Sequence, residues 1–584
     1  VKLSARCLQC AHALALLAVS ALAGANDAPA FRIDLKPIAE AESAHIESLE
    51  VELSIAELAV EAGQPLLELA YVRFNAPSAA GRIEIIEAGD AHGALQISVA
   101  DAGEGDDLRR QWLAGRDTHG TVSVRYRVTV DAPLAAKGAA PPIELRNEAH
   151  AVSGSGASFV LRPVSGEYLY SVNWDLSALP GAATAVSSLG YGPDAALPPA
   201  TLDSVYFMAG DLGRYPEGSG ETGFFSAWQG QPPFDAAKLM RTAENLREDF
   251  ISFFDSRRSG YGIMMRPNLV NPGGGIGLHN SFVVTFDSST DVENLAFTLS
   301  HEMFHTYQPR LDEGGEANSS LTQSWFNEGL AVFYQREFLF RAGLIDSEAY
   351  VADLNSNAAR YYTSALGNTP NSEIAAGFWR DTRIRTLPYD RGFLYFATVD
   401  EAVRQASNNQ RSLDDLAKEL RAQQDKGTAL TTAHWEAALL AELGEPAVKA
   451  LHDMLAGATP LPSSAAFGPC FRRTTKPLKR YELGFDPAVL VESPRIVREL
   501  VPGSAADLAG LRNGDEILKP VPQDGIQGNQ QAYLKLQIRR GDEEFGISYQ
   551  PRGETVEAWQ WERVPEMDES VCRLSRSTGS KTAE

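Results

Sequence analysis

The sequence His301-Glu302-Met303-Phe304-His305, with Glu328 following 23 positions after the second histidine, constrains this chain more than any other feature. Two histidines four residues apart on a helix present their rings to one side, one turn apart. The glutamate between them then stands beside whatever the rings bind without having to bind it. The flanks favour such a helix: Thr290-x-x-Glu293 reads as a capping box, Leu295, Phe297, Leu299, Met303 and Phe304 supply apolar positions, and Pro309 ends the segment. A second helix is expected to open at Ser320-x-x-Gln323, run through Trp325, Phe326, Leu330, Phe333 and Tyr334, and stop near Gly343. Glu328 would lie about two turns into it. Packed against each other, the two helices can bring His301, His305 and Glu328 onto one Zn2+ per chain, with a fourth position open to water. Glu302 is then placed as general base.

Ser300-His301-Glu302-Met303-Phe304-His305 and Trp325-Phe326-Asn327-Glu328-Gly329 resemble the zinc motifs of the gluzincin peptidases. These include aminopeptidase N and, closer to this chain, the glycyl aminopeptidase family. The spacing to Glu328 is longer than aminopeptidase N usually has, as it also tends to be in the glycyl aminopeptidases. Tyr389-Asp390-Arg391-Gly392 is similar to the Tyr-Glu-Lys-Gly of these enzymes, which implies that the Tyr389 hydroxyl donates a hydrogen bond to the tetrahedral oxyanion. The implied activity is zinc-assisted hydrolysis of peptides or proteins.

One segment departs from the resemblance. The family carries a Gly-Gly-x-Glu-His segment whose glutamate holds the substrate's ammonium. The matching stretch here is Gly274-Gly275-Ile276-Gly277-Leu278-His279-Asn280-Ser281, with Gly277 or Leu278 where the glutamate should be. No acidic residue occurs between Asp255 and Asp287. Gly275, Gly277 and Asn280 remain candidate substrate contacts, and Ser281 to Phe286 reads as a strand that could align an extended peptide by strand addition. Amino-terminal recognition is therefore expected to be altered or lost, with a zinc endopeptidase or an unusual exopeptidase as the alternative.

At 584 residues the chain predicts several domains, and its 44% hydrophobic and 22% charged content is ordinary for globular protein. A net charge of −24 argues against nucleic acid and anionic membrane surfaces as partners. Lys2 and Arg6 followed by Ala13 to Val19 read as a signal peptide over residues 1–25, and the apolar run is too short to span a membrane. A bacterial periplasmic or secreted protein, with no stable membrane insertion once the signal is cleaved, is expected. Signal removal takes Cys7 and Cys10 with it, leaving Cys470 and Cys572, which in an exported protein most simply form a disulfide.

The fold class expected is multidomain α+β. Residues 26–165 read as an N-terminal β-sandwich-like domain, since His45 to Ile55, Leu66 to Val72, Arg82 to Ile86 and Val122 to Val130 are strand-like. Residues 166–460 read as a thermolysin-like catalytic domain of mixed β and helical structure, an arrangement the resemblance implies. Within it Ala236 to Phe254, Ser347 to Ala365, Arg391 to Ala406, Leu413 to Gln424, Thr432 to Leu443 and Pro446 to Leu455 have helical spacing. His279, His434 and His452 each sit alone and read as structural. Residues 461–572 contain segments that closely resemble a PDZ domain: Leu483-Gly484-Phe485 as its carboxylate loop, and Val501-Pro502-Gly503-Ser504-Ala505-Ala506 through Asp515. Such a loop can cradle a peptide C-terminus with backbone N–H groups. Residues 573–584 read as a disordered tail. A protein of a different class, a non-catalytic peptide-binding protein that works through its PDZ domain, also fits these segments.

Overall fold

The computed structural model describes residues 28–576 apart from 41–44, 74–75, 131–140, 190–195, 218–222, 257–259, 269–271 and 314–318. The expected signal peptide lies outside the described residues. Among those described, no helix is long and apolar enough to cross a membrane.

The N-terminal region is built on alternation. In Val122–Thr129 the side chains of Val122, Val124, Tyr126 and Val128 are buried, and the strand pairs antiparallel with Ile46–Ile55 so that Val124 faces Leu53 and Tyr126 faces Val51. These strands belong to a six-stranded sheet that shares one apolar core with a three-stranded sheet of Pro65–Ala70, Arg109–Ala114 and Ile97–Ala102. That core does not stop at 165. Leu169–Trp174 pairs in parallel with Ala30–Ala39, and Leu202, Val205 and Phe207 join the same cluster. The first domain thus extends past the expected boundary, because the returning strand completes its sheet.

The catalytic region opens on a five-stranded sheet in the order Leu212–Tyr215, Phe224–Gln229, Tyr261–Pro267, Ser281–Phe286, Gly275–Leu278. Its central strands are parallel and buried on both faces, which explains their unbroken apolar runs. Ser281–Phe286 has neighbours on both sides, so it offers no free edge for strand addition. The edge is Gly275–Leu278.

Helices follow. Ala236–Phe254, Thr432–Leu443 and Leu413–Asp425 lie within a residue of their expected bounds. Three helices matter for the site, here named for the side chains they carry: the His helix Val292–Tyr307, the Glu helix Ser324–Arg341 and the Tyr helix Leu387–Ala406. Their starts differ from the sequence reading. Asp291, not Thr290, caps the His helix by accepting from Glu293 N, while the Thr290 hydroxyl serves the preceding turn at Asp287. The chain breaks at Gln323 between a short turn, Ser319–Thr322, and the Glu helix, which puts Glu328 about one turn in rather than two. The Tyr helix begins four residues before Arg391, so Tyr389 stands in its first turn behind Pro388.

The C-terminal module has its own small core over Tyr481 to Tyr549, with a three-stranded sheet of Glu516–Ile517, Leu534–Arg540 and Glu543–Tyr549. Its flanks do not belong to it. Phe471–Tyr481 and Arg552–Arg563 form a two-stranded ribbon, and Phe471, Trp561, Cys470 and Cys572 are buried in the catalytic core. Cys470 and Cys572 are joined by a disulfide, 102 positions apart. Residues 573–576 are helical rather than tail: the helix Glu569–Arg576 buries Arg576 against Glu337 at 3.0 Å and Asp400 at 3.2 Å. Residues 577–584 lie outside the described residues.

Candidate active site

Two glycines decide how the site assembles. A Cβ on Gly329 would sit 2.5 Å from the Cα of Gly392, and one on Gly392 would strike the carbonyl of Trp325. Only backbone fits at this crossing of the Glu and Tyr helices. The contact brings together Glu328, the residue before Gly329, and Tyr389, one helical turn before Gly392, and both line the same cavity. The His helix docks on the other side, where the Ser300 hydroxyl donates to the carbonyl of Gln335 at 2.9 Å.

The three nominated metal ligands converge. His301 Nε2, His305 Nε2 and Glu328 Oε2 form a triangle whose edges are all 3.2 Å. Among the described residues they are the one group of three His, Cys, Asp or Glu side chains whose ligand atoms cluster in this way. A tetrahedral zinc with bonds of about 2.0–2.1 Å spaces its ligands about 3.3–3.4 Å apart, so the triangle fits. The outer contacts agree. Gln335 donates to Asp353, which turns its Oε1 toward His301 Nδ1 at 3.0 Å. The Nδ1 proton is thereby fixed and Nε2 keeps its lone pair for a metal. The Gln308 amide lies 2.7 Å from His305 Nδ1, and its own Oε1 is buried without a partner, available to accept an Nδ1 proton once the amide turns over. Burial would raise the Glu328 carboxyl, but the imidazoles of His305 and His301 overcome it and hold it well below the usual carboxylate range.

Glu302 and Tyr389 face the same cavity, which has a volume of about 950 Å³. Burial pushes the Glu302 carboxyl above its ordinary value, with the imidazoles opposing. Burial and then the carboxylates of Glu328, Glu302 and Asp524 hold the Tyr389 phenol well above its usual range, so it stays a protonated donor. Asp390 turns inward instead, accepting from Arg360 at 2.6 and 2.7 Å and from Asn357 at 3.1 Å. Asn327 pins the loop after the His helix through Leu311 N and O.

The strand edge closes the opposite side. Gly277 lies across from the general-base candidate: a Cβ there would be 3.5 Å from Glu302 Oε2. Gly275 packs under the ring of Phe282, and Asn280 makes the turn at φ +47°. All three line the cavity, and neither Gly277 nor Leu278 brings a carboxylate. His279 lines it too. His434 caps its own helix through Thr431, and His452 pairs with Glu436 at 2.7 Å. The carboxylate-loop residues of the C-terminal module lie elsewhere. Leu483 and Phe485 are buried in the module core, and Gly484, at φ +84°, passes close to Ser504.

Several lining residues were not nominated from sequence: Trp379, Arg385, Arg310 and, from the C-terminal module, Asp524. No local motif marks them, and Asp524 reaches the cavity only through domain packing.

The fold and this site define the class of zinc metallopeptidases. Residues 294–383 match the family described as M61 glycyl aminopeptidase, a span that includes His301, Glu302, His305 and Glu328. No curated protein matches the sequence. Among solved structures, an aminopeptidase N family protein from Idiomarina loihiensis shares the fold with a TM-score of 0.61 at 16% identity, over 93% of this chain and 99% of that one. An M1 zinc metallopeptidase from Deinococcus radiodurans is more distant, at a TM-score of 0.44 and 16% identity over 75% of this chain and 95% of that one.

Proposed function

We propose that this protein is an exported zinc peptidase of the aminopeptidase type. The observation that carries the reading is the 3.2 Å triangle of His301, His305 and Glu328 with Glu302 and Tyr389 facing one cavity. When bound by the three ligands, zinc supplies an activated water and polarises the scissile carbonyl. Glu302 takes the proton of the attacking water at its carboxylate and passes it to the leaving amine. Tyr389 donates its hydroxyl proton in a hydrogen bond to the oxygen that gains charge. Gln335 and Gln308 hold the two imidazoles in orientation. The strand edge Gly275–Leu278, with backbone groups facing the cleft, offers an extended peptide a strand to pair with.

The absence of a carboxylate at Gly277 and Leu278 favours a second reading, an endopeptidase built on the same chemistry. One digest separates them. The zinc-loaded protein is incubated with a peptide library, with and without chelator, and cleavage positions are read by mass spectrometry. Chelator-sensitive cuts beside the free amine support the first reading, internal cuts support the second, and no cleavage contradicts both.

Export is supported by the apolar Ala13 to Val19 run and by a buried disulfide, which suits an oxidising compartment. For residues 481–549 we propose a PDZ-like module, on the strength of the Leu483-Gly484-Phe485 loop and the short helix Ala505–Leu508 that follows the Val501 to Ser504 turn. Its ligand would be a peptide C-terminus.

A further inference from the structure

An aminopeptidase-type enzyme needs a carboxylate for the substrate's ammonium, and three acidic side chains line this cavity: Glu302, Glu328 and Asp524. The chemistry above occupies the first two. Asp524 arrives from the C-terminal module, at the start of the short helix Asp524–Gly528 that packs on the catalytic domain. Gly528 of that helix lies so close to Ser356 that a Cβ would strike its carbonyl, and Gln527 Nε2 donates to Thr382 Oγ1 at 3.0 Å. The module is therefore seated against the cleft.

The two oxygens of Asp524 are treated differently. Oδ1 accepts from the Thr382 hydroxyl and from Arg385 Nη2 at 2.6 Å. Oδ2 has no protein partner among the described residues, and the side chain is 45% exposed. Two donors from the catalytic domain thus fix the carboxylate's direction and leave one oxygen for a ligand. The remaining charged lining is cationic. Arg360 is engaged by Asp390 and Arg421 by Asp425, while Arg385 is turned to Asp524 itself. The carboxylates lining this cavity that could attract an ammonium are thus the two chemical ones and Asp524. The neighbouring Trp379, 54% exposed on the same cavity, offers an indole face to the first residue of the substrate.

We propose that Asp524, supplied by the C-terminal module, is the specificity-determining carboxylate that receives the free α-ammonium of a peptide substrate, replacing the glutamate absent from the strand edge. The proposal rests on the peptidase reading above. It makes the module a structural part of the substrate site, whatever else it binds. Arg385 holds Oδ1 of the same carboxylate, so the ammonium would be received at Oδ2.

The test uses the full zinc-loaded chain and a matched pair of peptides, one with a free amine and one N-acetylated. Wild type is expected to prefer the free amine at least tenfold in kcat/KM. Asp524→Asn should bring that ratio close to one, chiefly by raising KM for the free-amine peptide. Asp524→Glu should retain most of the preference. Gln527→Ala, which removes a contact between the domains but keeps the carboxylate, should retain it as well, separating recognition from loosened packing. Equal cleavage of both peptides by wild type, or an undiminished ratio in a folded Asp524→Asn, overturns the proposal while leaving the peptidase intact. Loss of the preference in Gln527→Ala to the same extent also overturns it, by showing that seating of the module is what matters. Hydrolysis of neither peptide by wild type overturns the peptidase reading and this proposal with it.

Discussion

The two sides of the cleft are built on different scales. The chemical side is compact in sequence: His301, Glu302, His305 and Glu328 come from adjacent helices, and Tyr389 joins them through the Gly329–Gly392 crossing. The recognition side is assembled from distant parts, the strand edge at Gly275–Leu278 and Asp524, which is separated from that edge by more than half of the catalytic domain and the start of the module. Chemistry that needs fixed geometry sits on rigid helices close in sequence. Selection of the substrate's end is left to elements that can vary independently of it.

Substitutions can break this contrast or sharpen it. The largest effect is expected from Glu302→Gln, which keeps the shape and the metal ligands but removes the proton acceptor. Turnover should fall about 10²–10⁴-fold, with zinc content by elemental analysis unchanged. Full activity in that variant would remove Glu302 from the chemistry. Tyr389→Phe should lower kcat about 10²–10³-fold with little change in KM, since the hydroxyl is needed when charge develops on the oxygen. A KM effect without a kcat effect would move Tyr389 to the recognition side.

The disulfide Cys470–Cys572 and the buried Arg576 tie the flanks of the C-terminal module to the catalytic core, so their loss should be felt in stability first. Cys572→Ser opens a link between positions 102 apart and is expected to reduce stability by about 2–5 kcal/mol in denaturant unfolding under oxidising conditions. An unchanged midpoint would show that the buried Arg576 ion pairs suffice alone. A smaller effect concerns acid. Burial would raise the Glu337 carboxyl, but Arg576 and Arg341 overcome it and hold it at about 2, against an ordinary 4.5. A carboxyl depressed in the folded state contributes stability that is fully present above about pH 4.5 and lost as pH falls toward 2. Melting temperature should therefore drop through that window, and Glu337→Gln, already destabilised at neutral pH, should drop less there. Parallel declines would place the acid sensitivity elsewhere.

The same contrast governs what the sequence discloses. The His and Glu helices were legible because ligand spacing, apolar period and termini all point the same way. Their exact starts were not: Asp291 competes with Thr290 as a cap on equal chemical terms, and nothing local marks the break at Gln323. Glu328 tolerates that error, because its partner glycine fixes the crossing. The strand Ser281–Phe286 was legible as a strand, but its place inside the sheet depends on pairing with Tyr261–Pro267 and Gly275–Leu278, which alternation alone does not specify. The tail at 573–576 looked polar because Arg576 is charged. Its burial depends on Glu337 and Asp400, more than 170 positions away. Asp524 is the same case: an ordinary acidic residue beside a glycine until Thr382 and Arg385 are brought to it.

The most direct measurement is anomalous diffraction at the zinc edge from crystals of the zinc-loaded protein. The expected result is a single strong peak about 2.0–2.2 Å from His301 Nε2, His305 Nε2 and Glu328 Oε2, with one coordination position turned toward Glu302 and Tyr389. A peak at another set of side chains, or none at these three under saturating zinc, would contradict the metal-centred account of this site.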